Sequence, residues 1–358
     1  MYSITFTKGV FLLKGFKSAI KWIAAIVIIC VAFGVLMSIN GLNVSRTVIT
    51  VNGSQITEEE YKFYVEVNKM QVLSEQNLAD EAAAADFLKN GTVEGKIASD
   101  YIKEEALNQA LRNEIAVVKA KEAGIALTDE EKNAARATEG MDETIKSYGV
   151  SKKTYADIME KSQLINKYYS HVLSNEAEVL AVANEDITKK LNEDYALVQH
   201  VLVMNKPEGS EEVDEAYAKE AKAKAEEVLK KATAGENFAN LIKEYNEDPG
   251  MESNPQGYLI NKAGYTADGQ SQMVAEFTEG SFAVSAGEVN PSLVESEYGW
   301  HIIKRCEINE TNDNYMSLLD SVKGSMENEK FETYLDSMKD SLDIVKKDSI
   351  LKKVKVKY

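Results

Sequence analysis

Cysteine is nearly absent from this chain. Its 358 residues hold two, Cys30 inside an apolar run and Cys306 far downstream, too few and too far apart to read as a disulfide framework. Histidine is almost as scarce. His171, His200 and His301 are the only three, and no CxxC or HExxH spacing occurs, so the residue patterns that zinc chemistry requires are missing and neither metal nor cofactor is expected. Positive charge is in deficit, with 41 Lys and Arg against 58 Asp and Glu for a net of -17. A polyphosphate partner needs a basic stripe, so nucleic acid is argued against, and the expected partners are polypeptides, cations or cationic surfaces. Repeats of fixed period and sorting signals are also missing, which argues against an adhesion or cell-wall scaffold. What remains is a chain of 44% hydrophobic content, long enough for two or three domains with real cores.

Acid is missing altogether from residues 1–39, which carry Lys8, Lys14, Lys17 and Lys21; the rest holds 37 bases against 58 acids, net -21. Ile23–Ile39 is seventeen residues without a charge, extended by Trp22 and by Lys21, whose stem can snorkel, and such a run is long enough to span a bilayer. The positive-inside rule then puts residues 1–21 in the cytoplasm, a signal-anchor at 22–39, and everything after Asn40 outside, as in a single-pass protein of the cell membrane. A cleaved signal peptide would have a shorter apolar stretch ending in an A-x-A-like site, which VLMSING matches poorly. Ile28 and Ile29 precede Cys30 where a lipid-bearing cysteine has small residues, so Cys30 reads as an apolar membrane residue.

Beyond the anchor, TVITVN (47–52) alternates like a strand, Gly53–Ser54 reads as a turn, and Thr57 with Glu60 reads as a capping box opening a helix. Helical periodicity runs on through YKFYVEVNKMQVL, from Val93 to Ala123, after Thr128-Asp129, and after Ser151. ALVQHVLVM (196–204) reads as a strand, Glu211 to about Ala234 and 238–245 as helices, and Pro249, Gly250, Pro255 and Gly257 mark a turn-rich stretch. A loop to Gly269, a helical stretch near Met273 and strands at Leu293–Glu295 and His301–Glu307 follow. One long helix is expected after Thr311, and ILKKVKVKY as a closing alternating strand. Strands at both ends of the ectodomain suggest that the ends pair and that the middle is an insertion.

The ordered series QHVLV, FANLIKEYNEDPGMESNPQGYLI, MVAEF, SFAV and GEVNPSLVESEYGWHIIKR resembles the parvulin prolyl isomerases over residues 196–308. VNGSQITEEEY and the C-terminal helix resemble the flanking parts of extracytoplasmic foldases of the SurA and PrsA type. The resemblance implies an α+β fold: a helical chaperone module formed by 40–195 with 309–358, and an inserted parvulin-like domain with an antiparallel sheet and surrounding helices. It implies a peptidyl-prolyl cis–trans isomerase and chaperone for unfolded exported polypeptides with X-Pro bonds; the alternative is a parvulin-fold holdase with little or no activity. Homodimerisation is left open.

By the same resemblance, Met273 and Phe277 form a slot for the proline ring with Phe282 behind them. His200 and His301 are the paired strand histidines, in a network with Ser296. Asp248 stands where the family has cysteine or aspartate, which removes any covalent route there and leaves a negative charge beside the prolyl amide. Two departures bear on the site: the loop from Asn261 to Gln272 is long, and PQGYLI replaces the commoner GGDLG-like stretch. NKPEGSEEVDE is acidic where phosphate-directed parvulins are basic, so phosphoserine-proline is not an expected target.

Overall fold

The computed structural model describes residues 45–357, apart from 77, 79, 208–209, 211–213, 268, 310–311 and 313. The basic segment and the expected membrane anchor lie outside the described residues; among those described, no helix is long and apolar enough to cross a membrane. The described chain divides into two compact units, 182–324 and the combination of 45–181 with 325–357.

The second of these begins with β1 (Thr47–Val51) and β2 (Ser54–Thr57), an antiparallel hairpin closed by Asn52 and Gly53. Both turn residues have positive φ, 47° and 81°, the geometry whose twist matches that of the flanking strands. The turn therefore falls one residue earlier than the sequence suggested, and Ser54–Thr57 is strand. Thr57 caps α1 (Glu58–Glu75), its hydroxyl accepting the Glu60 N–H at 3.1 Å. The Glu60 carboxylate, three residues on from the cap, also turns inward to Lys161.

There follow α2 (Glu81–Asn90), the short hairpin β3 (Thr92–Val93) and β4 (Lys96–Ile97), α3 (Ala98–Glu122), α4 (Asp129–Ala135), α5 (Asp142–Ser147), α6 (Lys152–Asn175) and α7 (Ala177–Leu180). Thr128 and Glu131 make a full capping box at the head of α4. The core joins α1, α3 and α6 through Tyr64, Ile102, Ile115, Ile158 and Leu164, with Phe63 against Tyr148 at a ring separation of 4.8 Å. Inside it, Lys161 Nζ donates to Glu60 at 2.6 Å and to Glu114 at 2.8 Å, tying the same three helices by charge.

The unit at 182–324 contains α8 (Asn184–Asp194), β5 (Tyr195–Met204), α9 (Glu215–Thr233), α10 (Phe238–Tyr245), α11 (Gly250–Ser253), β6 (Tyr258–Asn261), α12 (Ala275–Phe282), β7 (Val294–Ser296) and β8 (Gly299–Cys306). Its sheet is antiparallel throughout, in the order β6-β5-β8-β7. Side chains alternate across a strand, so the odd-numbered Val201 and Val203 of β5, with Trp300 and Ile302 of β8, face Ala225 and Val228 of α9 and Leu241 of α10. The even-numbered Ala196 and Val198, with Ile303 of β8, face Phe277 of α12 and Ile260 of β6. Both faces are covered, which is why ALVQHVLVM reads as an apolar run rather than an alternation. The polar break among the even-numbered residues of β5 is His200. It lies opposite Ile303, and His301 lies opposite Leu202, so the two imidazoles share that face as diagonal neighbours.

The chain continues in α13 (Tyr315–Ser337), inside which the division between the units falls, and then in a 3-10 turn at Lys339–Ser341, β9 (Ile344–Lys346) and α14 (Asp348–Leu351). β9 pairs antiparallel with β1, Val51 opposite Ile344. The expected terminal strand is not formed: Asp348–Leu351 is helical, and 352–357 has no regular structure although Val354 and Val356 are buried. With β2 and β9 occupying both edges of β1, no edge of that strand remains for the terminal segment to extend, and its alternation records two buried valines instead.

Candidate active site

The segment after α10 carries Asp248 and is laced to β5. The Leu202 N–H donates to Asn246 Oδ1 at 2.9 Å, and Asn246 Nδ2 donates to the Asp248 carbonyl at 2.7 Å. Asp248 thereby meets the even face of the sheet at His200. From there a hydrogen-bonded chain crosses three strands: Asp248 Oδ2 to His200 Nε2 at 2.9 Å, His200 Nδ1 to His301 Nδ1 at 3.1 Å, and His301 Nε2 to Ser296 Oγ at 2.8 Å. The Tyr298 N–H donates to Ser296 Oγ at 3.2 Å, the Tyr258 hydroxyl donates to Asp248 Oδ2 at 2.8 Å, and the Gly250 N–H donates to Asp248 Oδ1 at 2.9 Å.

The ionised end constrains the protons of this chain. An ionised Asp248 only accepts, so His200 Nε2 carries hydrogen. With His200 neutral its Nδ1 is bare, His301 Nδ1 donates to it, and the Ser296 hydroxyl donates to His301 Nε2, so that every donor points toward Asp248. Burial pushes the Asp248 carboxyl up, but the hydrogen bonds from His200, the Gly250 N–H and Tyr258 outweigh it and bring it down to about 2. Burial, reinforced by repulsion from His200, pulls His301 down to about 3 against a weaker opposing pull from Asp248, so its ring is neutral. Burial and the Asp248 carboxylate both push the Tyr258 phenol up and keep it a donor.

His200, His301 and Ser296 are buried, whereas the Asp248 side chain is 20% exposed and is the open end of the chain. Phe277 stands edge-on to both imidazoles, at ring separations of 5.0 Å from His200 and 5.3 Å from His301. Met273 and Phe282 are partly buried and pack against the same apolar cluster. All seven residues singled out in the sequence therefore lie on one face of the sheet. Two differ from a simple open slot. Phe277 is only 2% exposed, a core residue as much as a surface for a ligand, and Phe282 is covered by the Arg305 guanidinium at 5.2 Å. Tyr258 is the residue that the sequence reading missed; its signal was the departure of PQGYLI from the family pattern. Among the described residues no group of three or more His, Cys, Asp or Glu is placed to hold a metal ion.

Comparison with known proteins gives two family matches, a SurA-like N-terminal domain over residues 11–182 and a PPIC-type PPIase domain over residues 183–308. The foldase protein PrsA of Caldanaerobacter subterraneus subsp. tengcongensis is 26% identical over 285 residues, 78% of each chain. The foldase protein PrsA of Halalkalibacterium halodurans is 31% identical over 183 residues, 48% of this chain and 46% of that protein. A solved structure of peptidylprolyl isomerase (PrsA) from Bacillus cereus aligns with 86% of this chain and 96% of that chain at 19% identity and a TM-score of 0.30. By its two matched domains, this chain belongs to the proteins that join a SurA-like N-terminal domain to a PPIC-type peptidyl-prolyl isomerase domain.

Proposed function

We propose that the chain is a peptidyl-prolyl cis–trans isomerase and chaperone for exported polypeptides, acting through the Asp248–His200–His301–Ser296 chain and the apolar surface of Met273, Phe277 and Phe282. The observation that carries this reading is the chain itself: four polar side chains joined end to end by hydrogen bonds, the last a part-exposed carboxylate beside an apolar face.

An X-Pro bond prefers trans by only about 0.5–1 kcal/mol, yet rotation breaks amide resonance at a barrier of roughly 18–20 kcal/mol. Catalysis therefore needs no nucleophile; it needs a surface that favours the twisted amide. Twisting returns electron density from the carbonyl oxygen to the nitrogen. A negative charge beside that oxygen disfavours the planar, charge-separated form, and it acts more strongly where apolar side chains exclude water. Asp248 supplies the charge, the histidine chain holds it oriented, and Met273 with the rim of Phe277 holds the proline ring. Domain limits near 196–308 for the isomerase, with 40–195 and 309–358 as the chaperone module, accompany this reading. So does anchoring by Ile23–Ile39 with the basic end in the cytoplasm, for which the length of that apolar run is the support.

The test is a protease-coupled proline-peptide assay of the full chain beside Asp248→Asn and Met273→Ala. Asp248→Asn should lower the rate without a matching loss of peptide affinity, and Met273→Ala should weaken both. Wild-type rates in both variants would remove these residues from the site, and an inactive wild type that still suppresses client aggregation would make the chain a holdase. A mature N-terminus after Ser38 or Asn40, found by mass spectrometry, would overturn the anchor.

A further inference from the structure

Tyr258 is built into the site by more than its own hydrogen bond. Its strand β6 pairs with β5 so that Tyr258 lies opposite Val198, two residues from His200, and its ring stands 5.8 Å from the His200 imidazole. The hydroxyl reaches the same oxygen, Asp248 Oδ2, that takes the His200 Nε2 proton. The approach depends on the residue at 250: a Cβ there would run into the Tyr258 hydroxyl, while the Gly250 N–H occupies the other carboxylate oxygen. Residues 250 and 258, with His200, thus form a seat in which the Asp248 carboxylate accepts three hydrogen bonds.

We propose that Tyr258 is a positioning residue for the isomerase reaction, acting through Asp248, and that Gly250 makes room for it. The proposal rests on the site reading above and deepens it. With Oδ1 held by Gly250, and Oδ2 shared by Tyr258 and His200, the carboxylate can neither swing toward solvent nor accept a proton readily. Its charge stays at one point beside the apolar face, and the donors of the histidine chain stay aligned toward it.

The groups that act on Asp248 are few. His200 on β5 and Tyr258 on β6 touch it, and His301 and Ser296, on β8 and β7, act through His200. Glu247 is engaged by the Met204 N–H and by Lys224 of α9, and Glu276 and Glu279 of α12 are exposed. Removing the phenol therefore has one expected electrostatic consequence, a carboxyl that protonates at higher pH.

The experiment uses the full chain and five variants: Tyr258→Phe, Gly250→Ala, their double, Asp248→Asn, and Asp248→Asn with Tyr258→Phe. Tyr258→Phe keeps the ring and its packing, and melting curves confirm that each variant is folded. Loss of one hydrogen bond to a charged group predicts about a tenfold fall in kcat/KM for Tyr258→Phe. Gly250→Ala should fall by a similar factor although its phenol is intact, and the double variant should fall no further than Tyr258→Phe alone. In the Asp248→Asn background the Tyr258→Phe change should cost nothing, and the Asp248 carboxyl signal followed by 13C NMR should titrate at higher pH in Tyr258→Phe. A slow Asp248→Asn beside a wild-type Tyr258→Phe would overturn the proposal while sparing the site reading. So would a Tyr258→Phe loss that persists at full size in the Asp248→Asn background, since that would mark a merely structural role. Wild-type activity in Asp248→Asn would overturn both, because there would then be nothing for Tyr258 to position.

Discussion

The two units each bury a polar network joined across long stretches of chain, and they do it in opposite ways. In the helical unit, Lys161 lies between Glu60 and Glu114, all three side chains at 9% exposure or less. In the isomerase unit, His301 is buried and neutral, and the carboxylate, Asp248, sits at the part-exposed end. A closed group of full charges holds helices together and can do little else, since ions taken out of water are kept only by one another. A hydrogen-bonded chain that ends in a part-exposed carboxylate keeps that charge partly in water and, on the proposed reading, where a substrate amide can reach it. On that reading the difference separates a structural network from a working one.

The largest effect that would break this comparison is expected from Lys161→Met. It leaves Glu60 and Glu114 buried without a counter-charge and should cost about 3–5 kcal/mol in denaturant unfolding of the helical unit, while the isomerase rate per folded molecule is unchanged. A loss below about 1 kcal/mol would show that water reaches the triad. Next comes Phe277→Ala. Because Phe277 is 2% exposed and part of the cluster around Ile303, its truncation should cost about 3 kcal/mol of stability as well as rate; an unchanged melting temperature would return it to the status of a surface slot residue.

Acid should separate the two units in the direction set by their shifts. Folding lowers the Asp248 carboxyl to about 2 and His301 to about 3, so the unfolded chain binds protons that the folded site does not. The stability they contribute is complete above about pH 6.5 and falls as pH drops toward 3. In the triad, burial and Glu114 push Glu60 up against the pull of Lys161; burial pulls Lys161 down, but Glu114 and Glu60 outweigh it and hold it high. These two shifts have the opposite sign: the Glu60 contribution grows as pH falls toward its ordinary 4.5, and that of Lys161 is lost only as pH rises past its ordinary 10.5. Hydrogen exchange between pH 6.5 and 4 should show the isomerase sheet opening first, and equal opening of both units would contradict this assignment. The smallest expected effect is that of Thr57→Ala, about 1 kcal/mol for a single capping bond. Thr128→Ala, which breaks a two-way box, should disturb its own helix more, as read by exchange of the first-turn amides.

Much of the fold was legible because local rules and the fold agree. Thr128 and Ser151 mark helix starts at which their side chains do cap α4 and α6, and the run at 196–204 is strand because both of its faces are covered. Thr57 caps as its spacing to Glu60 suggests, but local pattern does not announce that the Glu60 carboxylate also takes a buried Lys161 101 residues away. The terminal KVKVKY misled, since alternation marks which side chains are buried and says nothing of whether a strand edge is free to pair. In the site, the histidines, Ser296 and Asp248 could be placed through resemblance to a family, whereas Tyr258 could not, because the segment carrying it departs from the family's pattern.

The sequence by itself determined the chemistry available to this protein: few thiols and histidines, an acidic body, an apolar N-terminal run, and most of the long helices and the strand at 196–204, since these depend on composition and on periodicity; it did not give the hairpin at Thr92–Ile97, where helix was expected from Val93. Only the tertiary structure decided the partners. Asp248 meets His200 across 48 residues, His200 meets His301 across 101, and Tyr258 arrives at the same carboxylate from a third strand. Strand register and the seat left by Gly250 place those atoms within hydrogen-bonding distance, and a polar side chain takes whichever partner burial brings to it.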